Sequence, residues 1–546
     1  MLTYRDFSCT LTSILIVSMV NSDTERQSLD PNIEGRINTI LDTRSREIIL
    51  VGQQLATIYE KTPHLGIDVL AKAIEIYNAR LADKSKAWGI NVVDVAEDGS
   101  LSIYIKKHGA YYQMPSPLYA SLDEFLKVTN AAVVGFSFTS KEAGYVNQQA
   151  GNIQNLENPP LILAGGPHST VAHESMFEAD SNFDMAFIGA GEDSLVKLLG
   201  NIENRHGVND LEGIATKGQV FPRKNAVLRP QMSVPDVRTG QWGGRNVTRY
   251  QVNQGCPRNC NFCLQGTMGF QRGDVDAAMN FIKKACEGGP EFLFFEDGDF
   301  SPRVNRELIE RIAEYYEGIL ANFNGIYCLP LGAQMRWDDL VKDGKVDMET
   351  IRLLRAAHFR YLLISIESVN PKVLESMNKG QLNGMDQSAG MGLLKEVFSA
   401  LSEHNIEFGI STIAGYEGDD FESFQKTIRT IYALRPREIF VEAAKVYPGT
   451  NLSRGNNNQV GSFYSRHVLG QADVAFLLGE MNGKLHLATD LWPEDDGCLT
   501  LLPPDELRKY YEWIEEFLRV PSDYYFYHYK KTEAGAFKQV MDNWIM

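Results

Sequence analysis

The sequence predicts an α/β protein: an open, doubly wound parallel sheet, then a partial (β/α)6 barrel, then a small, mostly helical C-terminal region. Three observations carry that expectation. Apolar strand-length runs alternate with helix-period segments twice, over 47–202 and again over 248–450. Several strands of the first set end on glycines, where a ligand can approach the backbone of such a sheet. A turn-rich stretch with little periodicity, 205–245, separates the two sets, and the alternation breaks down after about 460. The expected domains are an irregular leader (1–45), a doubly wound domain (46–205), a linker (206–245), a barrel (246–458) and a C-terminal capping or substrate region (459–546).

In the first set, EIILVGQ (47–53) is a short apolar strand, and HLGIDVLAKAIEIYNARLA (64–82) has helical periodicity. INVVDV (90–95) and AAVVGFSFT (131–139) read as strands, with a helical stretch over 141–154. PLILAGGPHS (160–169) is a strand closed by a glycine pair, and MAFIGAGEDSLVKLLGNI (185–202) reads as strand, glycine turn and helix. Ligands of open α/β sheets sit beyond the carboxyl ends of the strands. The candidate ligand-facing residues are therefore Gly135, Ser137, Gly165, Gly166, Gly189, Gly191 and Glu192. His168 lies at the same end and reads first as a solvent-facing loop histidine.

The second set supplies six strands: TRYQVNQG (248–255), EFLFFEDGDF (291–300), GIYCLPLG (325–332), YLLISIES (361–368), EFGISTIAG (407–415) and EIFVEAAKVYPGT (438–450). Helical segments at 276–287, 304–317, 347–357 and 419–434 separate them. Barrels of this kind place their chemistry at the C-terminal ends of the strands. Beyond 460, DELRKYYEWIEEFL (505–518) is helical. The tail aromatics Trp492, Tyr524, Tyr525 and Phe526 suit an apolar or peptide ligand and ordinary packing equally.

Composition narrows the class. With 44% hydrophobic and 23% charged residues, the 546-residue chain is a folded protein rather than a disordered one. A net charge of -17 repels phosphate backbones, so no nucleic-acid partner is expected. Seven cysteines, an odd number, form no disulfide framework and point to a reducing, cytoplasmic setting. LTSILIVSMV near the N-terminus resembles a short signal h-region, but no small-residue cleavage site follows it and it is too short to span a bilayer. No membrane association is expected.

Cys256, Cys260 and Cys263 are spaced C-x3-C-x2-C just after the first barrel strand. Three thiolates can hold three irons of a [4Fe-4S] cubane and leave the fourth iron open to a substrate or cofactor. Structural zinc wants four closed ligands, and no fourth Cys or His lies nearby. Phe262, between the last two cysteines, can pack against a bound cofactor.

Here the chain resembles the radical S-adenosylmethionine (SAM) enzymes. FFEDGDFS (294–301), LLISIESVNPKVLESMNKG (362–380), ISTIAGYEGDDFESFQKTI (410–428) and VYPGTNL (446–452) are similar, in order, to that family's later barrel motifs. The resemblance implies that SAM chelates the open iron and is cleaved reductively to a 5'-deoxyadenosyl radical, which takes hydrogen from substrate. It places Glu296, Asp297 and Asp299 near the SAM amino group, with helix capping as their other reading. It places Glu367 and Ser368 beside the ribose or methionine, and Gly415 at the fifth-strand turn. Arg336 pairs either a carboxylate of substrate or SAM or a surface partner, and Tyr447 reads as packing. It also implies an electron donor such as flavodoxin or ferredoxin.

Upstream, LAGGPHST (163–170), FIGAGEDSLVKLL (187–199) and GIAT (213–216) resemble the Rossmann-like, cobalamin-binding-type domain that precedes many of these barrels. The D-x-H-x-x-G sequence that gives cobalt a histidine elsewhere in that superfamily is absent after the first strand. The implied activity is cobalamin-dependent C-methylation of a small molecule or peptide. One alternative is epimerisation of a ribosomal peptide, with Cys498 or Cys328 returning the hydrogen atom. The other is a non-catalytic corrinoid or iron–sulfur binding protein.

Overall fold

The computed structural model describes residues 31–53, 60–61, 65–95, 101–108, 110–114, 119, 121–140, 142–177, 181–222, 235–242, 245–322, 328–381 and 387–455, with short stretches at 475–478, 486–490, 499–500, 506, 509–510, 513–514 and 525–527. Two large sheets organise them.

The first sheet has nine strands, and its centre is parallel. Ser45–Gln53 lies between Gly89–Val95 and Ala131–Ser137, followed outward by Leu161–Gly165 and Met185–Phe187. The chain order across these five is 2-1-3-4-5, and a ligand crevice belongs where that order reverses, next to the first and third strands. Alternate residues of Ser45–Gln53 serve opposite cores: Ile48 and Leu50 face one layer of helices, Ile49 and Val51 the other. This is the doubly wound arrangement expected from the sequence.

Antiparallel hairpins extend both edges. Leu101–Lys107 and Ala110–Gln113 add to one side, Ile214–Thr216 and Gln219–Phe221 to the other. The second hairpin corrects the expected linker. Three-residue strands are too short to show periodicity, and Gly218, with φ +81°, makes their turn. The expected leader also needs correction, because Pro31–Thr43 is an α-helix. Its Ile33, Ile37 and Ile40, spaced i, i+4, i+7, are buried against the first sheet.

The second sheet carries seven consecutive parallel strands: Arg245–Tyr250, Phe292–Phe295, Leu331–Arg336, Phe359–Glu367, Glu407–Ala414, Glu438–Ala443 and His486–Asp490. The first six are the expected barrel strands; the seventh comes from the tail. Past residue 455 the described stretches are largely strand rather than helix, with Ala475–Leu478 and Tyr525–Tyr527 continuing the sheet antiparallel. Such pairing depends on a distant partner, which local propensity does not reveal. Tyr510 of the helical part packs its ring 4.7 Å from Phe424. Cys498, Trp492 and Tyr524 lie outside the described residues, as do the side chains of Tyr525 and Phe526. Among the described residues no helix is long and apolar enough to cross a membrane.

A buried charge network fastens the segment before the barrel to the first sheet. Arg238 pairs with Asp68 at 2.7 Å and with Asp94, while Asp236 accepts from Lys72 at 3.1 Å and Lys106 at 2.5 Å. Thr248, on the first barrel strand, donates to the Arg238 carbonyl at 3.0 Å.

Candidate active site

The cysteine loop leaves the first barrel strand through Gly255. Its φ is +69°, and a Cβ there would fall 1.6 Å from the Gly269 carbonyl oxygen, so only glycine fits. The loop is then tied to segments far along the chain. Asn261 N–H donates to the Met377 carbonyl (2.9 Å) and its side chain to Ser376 O (2.7 Å). Leu452 N–H donates back to Asn261 O (2.8 Å), and Asn451 Nδ2 to Asn259 Oδ1 (3.1 Å). Cys256 and Cys260 are buried, Cys263 is half-buried, and all three are free thiols. Burial pushes the Cys256 thiol up to about 12, so it is neutral until a metal displaces its proton.

Arg258, inside the motif, is a residue that sequence reasoning missed. Its guanidinium bridges Asp299 (2.9 Å) and Asp339 (2.6 Å), and its backbone N–H donates to Cys256 Sγ at 3.4 Å. Asp299 Oδ1 and Asp339 Oδ2 are buried with no partner. These orphaned acceptors fit an ammonium-bearing ligand beside the loop. Asp297, by contrast, is turned inward. Its oxygens accept the Val252 and Asn253 amides at 3.1 and 2.6 Å, and burial pushes its carboxyl up to about 7. Glu296 pairs with Arg249.

At the fourth strand end Glu367 holds φ +63° and pairs with Lys379 at 2.8 Å; Lys379 Nζ also reaches Ser365 Oγ at 2.9 Å and lies 6.0 Å from the Phe262 ring centre. Lys379 stands in the NKG of the fourth-strand motif, so its position was legible but its pairing was not. Ser368 is committed to the local turn, accepting from Asn370 N–H at 3.1 Å. Gly415 (φ +73°) donates to Asp419 at 3.0 Å, and Tyr416 meets Phe262 edge-on at 6.0 Å. Arg336 is buried and bidentate to Asp338 at 2.8 Å, not a surface bridge.

Between the two sheets lies a cavity of about 520 Å³. The first sheet contributes Gly135, Ser137, Gly165, Gly166, Gly189, Gly191 and Glu192; the barrel contributes Arg249, Gln251, Gln254, Gly255, Gln265, Met268 and Glu296. Gly189 has φ +77° with nothing within 4 Å of where a Cβ would stand, so it leaves open space. The apolar wall and glycine rim fit a broad, flat cofactor such as a corrin. The donor set of the cysteine loop, three free thiols, fits a cluster whose thiolates each address a separate iron.

Two candidates fall elsewhere. His168 is not on a solvent-facing loop. It sits in the Gly166–Ala172 helix, fully buried, with Nδ1 2.9 Å from Ser140 Oγ, and burial pulls its pKa down to about 4. Cys328 precedes the Leu331–Arg336 strand, at the end opposite the cysteine loop, where its Sγ lies 3.9 Å from the Tyr316 carbonyl oxygen. The expected third strand began too early: Cys328, Leu329 and Pro330 are buried without belonging to the strand, which starts at Leu331.

Known proteins resemble the chain in sequence and in fold. Residues 250–431 match the model of the Radical SAM superfamily. The chain is 24% identical over 299 residues to an anaerobic magnesium-protoporphyrin IX monomethyl ester cyclase of Synechocystis, covering 51% of this chain and 54% of that protein. It is 26% identical over 208 residues to a bacteriochlorophyllide d C-12(1)-methyltransferase of Chlorobaculum tepidum, covering 36% and 40%. The chain thus spans about half the length or less of these two relatives. In fold it is similar to the radical SAM methyltransferase TsrM of Kitasatospora setae, solved with cobalamin and a [4Fe-4S] cluster, at TM-score 0.59 and 15% identity over 76% of this chain and 75% of that one. The match to the Radical SAM superfamily thus lies over residues 250–431, the span of the first five barrel strands.

Proposed function

We propose that this radical SAM enzyme is cobalamin-dependent and methylates an unactivated carbon of a small molecule. The observation that carries the reading is continuity: Gly255, immediately before Cys256, lines the cavity edged by the first sheet's glycines. A corrinoid held there would adjoin the cysteine loop, the juxtaposition that methyl transfer to a carbon radical needs. The methyltransferase among the relatives and the likeness to TsrM support it.

In this reading Cys256, Cys260 and Cys263 hold three irons and leave a fourth for SAM. Asp299 and Asp339 offer unfilled acceptors to the SAM amino group, the Glu367–Lys379 pair shapes the ribose or carboxylate side, and the Phe262 ring packs against the ligand. Bound in these sites, the [4Fe-4S] cluster supplies the electron for SAM cleavage and the corrinoid supplies the methyl group. The buried leucines of the cavity wall keep water from the reacting carbon. An electron donor of the flavodoxin or ferredoxin kind completes the system.

A second reading is supported by the cyclase relative: substrate-radical ring closure at the same site. For the peptide-epimerase reading, the place of Cys328, at the strand end opposite the cysteine loop, leaves Cys498 as the candidate hydrogen donor.

The test is to purify the protein without oxygen, reconstitute the cluster, add hydroxocobalamin and desalt. Corrinoid retained near one per chain, with SAM cleaved to 5'-deoxyadenosine, is the expected result. SAM cleavage without corrinoid retention would end the methyltransferase reading.

A further inference from the structure

The two walls of the cavity differ in chemistry. The first-sheet wall is largely apolar, with Leu50, Leu65, Ile67, Leu70, Leu163 and Leu195, and its charged groups are the carboxylates of Glu142 and Glu192. The barrel wall instead presents three primary amides, Gln251, Gln254 and Gln265. Gln254 Oε1 is buried with no hydrogen-bond partner. A buried amide oxygen without a donor is costly to leave unfilled, so it marks a place where a ligand N–H belongs.

Charge points the same way. Among the described residues the charged groups on the cavity are Glu142, Glu192, Glu296 and Arg249. The single cation, Arg249, is ion-paired to Glu296. A ligand whose rim carries carboxylates would meet a surplus of negative charge and no uncommitted guanidinium. A ligand whose rim carries carboxamides would find partners able both to accept and to donate.

This inference rests on the proposed corrinoid reading and deepens it. We propose that the barrel wall, through Gln254 with Gln251 and Gln265, selects the macrocycle by its peripheral carboxamides. The cavity therefore admits an amidated corrinoid and rejects a carboxylated tetrapyrrole of similar size. A carboxylated macrocycle, if the enzyme acts on one, is bound elsewhere, against the barrel.

The experiment titrates the anaerobic, cluster-reconstituted full chain, by visible absorption, with three probes. Cobinamide carries the amidated ring, cobyrinic acid carries the same ring and cobalt with carboxylates, and protoporphyrin IX is a carboxylated porphyrin. Cobinamide should bind at least about tenfold more tightly than cobyrinic acid, since a site built to hydrogen-bond one partner rejects an analogue that cannot reciprocate. Gln254→Leu should weaken cobinamide about tenfold and shrink the difference between the two corrinoids, with iron per chain as the check that the cysteine loop still assembles. Equal affinity for the two corrinoids, or tighter binding of protoporphyrin IX, would overturn the proposal. If none of the probes and no cobalamin binds, it is the corrinoid reading itself that fails. Should Gln254→Leu lose its iron, the two corrinoids compared on the wild-type chain alone still decide.

Discussion

Asp297 is fully buried, accepts two backbone N–H groups at the root of the cysteine loop, and has its carboxyl raised to about 7. The unfolded carboxyl titrates near 3.8. Between those values the folded protein keeps a proton that the unfolded chain releases, so this group's stabilising contribution is complete below about pH 4 and is lost as pH rises towards 7. The stability of wild type relative to Asp297→Asn should therefore decline across that window, by as much as about 4 kcal/mol. Urea unfolding of both proteins at several pH values measures it, and a flat difference would refute it. The acidity of EDGD was legible in the sequence, and so was its strand-end position. Which carboxylate faces the ligand and which supports the backbone was not, because adjacent residues diverge in direction and their partners lie about 45 positions away.

At the scale of elements, the short Gly166–Ala172 helix fastens the cavity rim. Ser169 donates to Phe187 O at 2.6 Å. Thr170 Oγ1 donates to Gly166 O at 2.9 Å and accepts from Gly189 N–H at 3.0 Å, so one hydroxyl joins two left-handed glycines. Thr170→Val removes both bonds at nearly constant volume. Of the two, the bond to Gly189 holds the cavity rim, and its loss, about 0.5–1.5 kcal/mol, predicts a roughly two- to tenfold weaker corrinoid affinity, which Thr170→Ser should restore. An unchanged dissociation constant in Thr170→Val would deny the helix this role. The strands and helices around this rim were legible because each is long enough to show its period. The edge hairpins and the helix at Pro31–Thr43 were not: the strands at 214–221 are three residues each, and the helix has a narrow apolar face among polar neighbours. The buried place of His168 was hidden for a related reason, since a local pattern does not show which loop will cover a residue.

Across the whole molecule, the cavity takes its walls from two sheets, so its width depends on how firmly those sheets are held together. The Asp68–Arg238–Asp94 network is one described anchor, tied to the first barrel strand by the Thr248 bond to the Arg238 carbonyl. Arg238→Met would leave the buried Asp68 and the half-buried Asp94 without their cation, a loss of about 3–5 kcal/mol. A lower urea midpoint together with weaker corrinoid retention is the expected pair of results. Full stability with normal retention would show that the network is dispensable.

The cysteine loop has its fastenings at Met377 and Leu452, and Asn451 reaches Asn259 across 192 positions of chain. During synthesis the three thiols therefore leave the ribosome about 10 to 40 s before the residues that pin their loop, at ordinary elongation rates. For that interval they are reactive sulfurs on an unfinished barrel, open to oxidation or to a stray metal. Iron loading of this protein is then a late event in its life, and its yield in a cell should follow how well the nascent chain is shielded until the sixth strand has emerged.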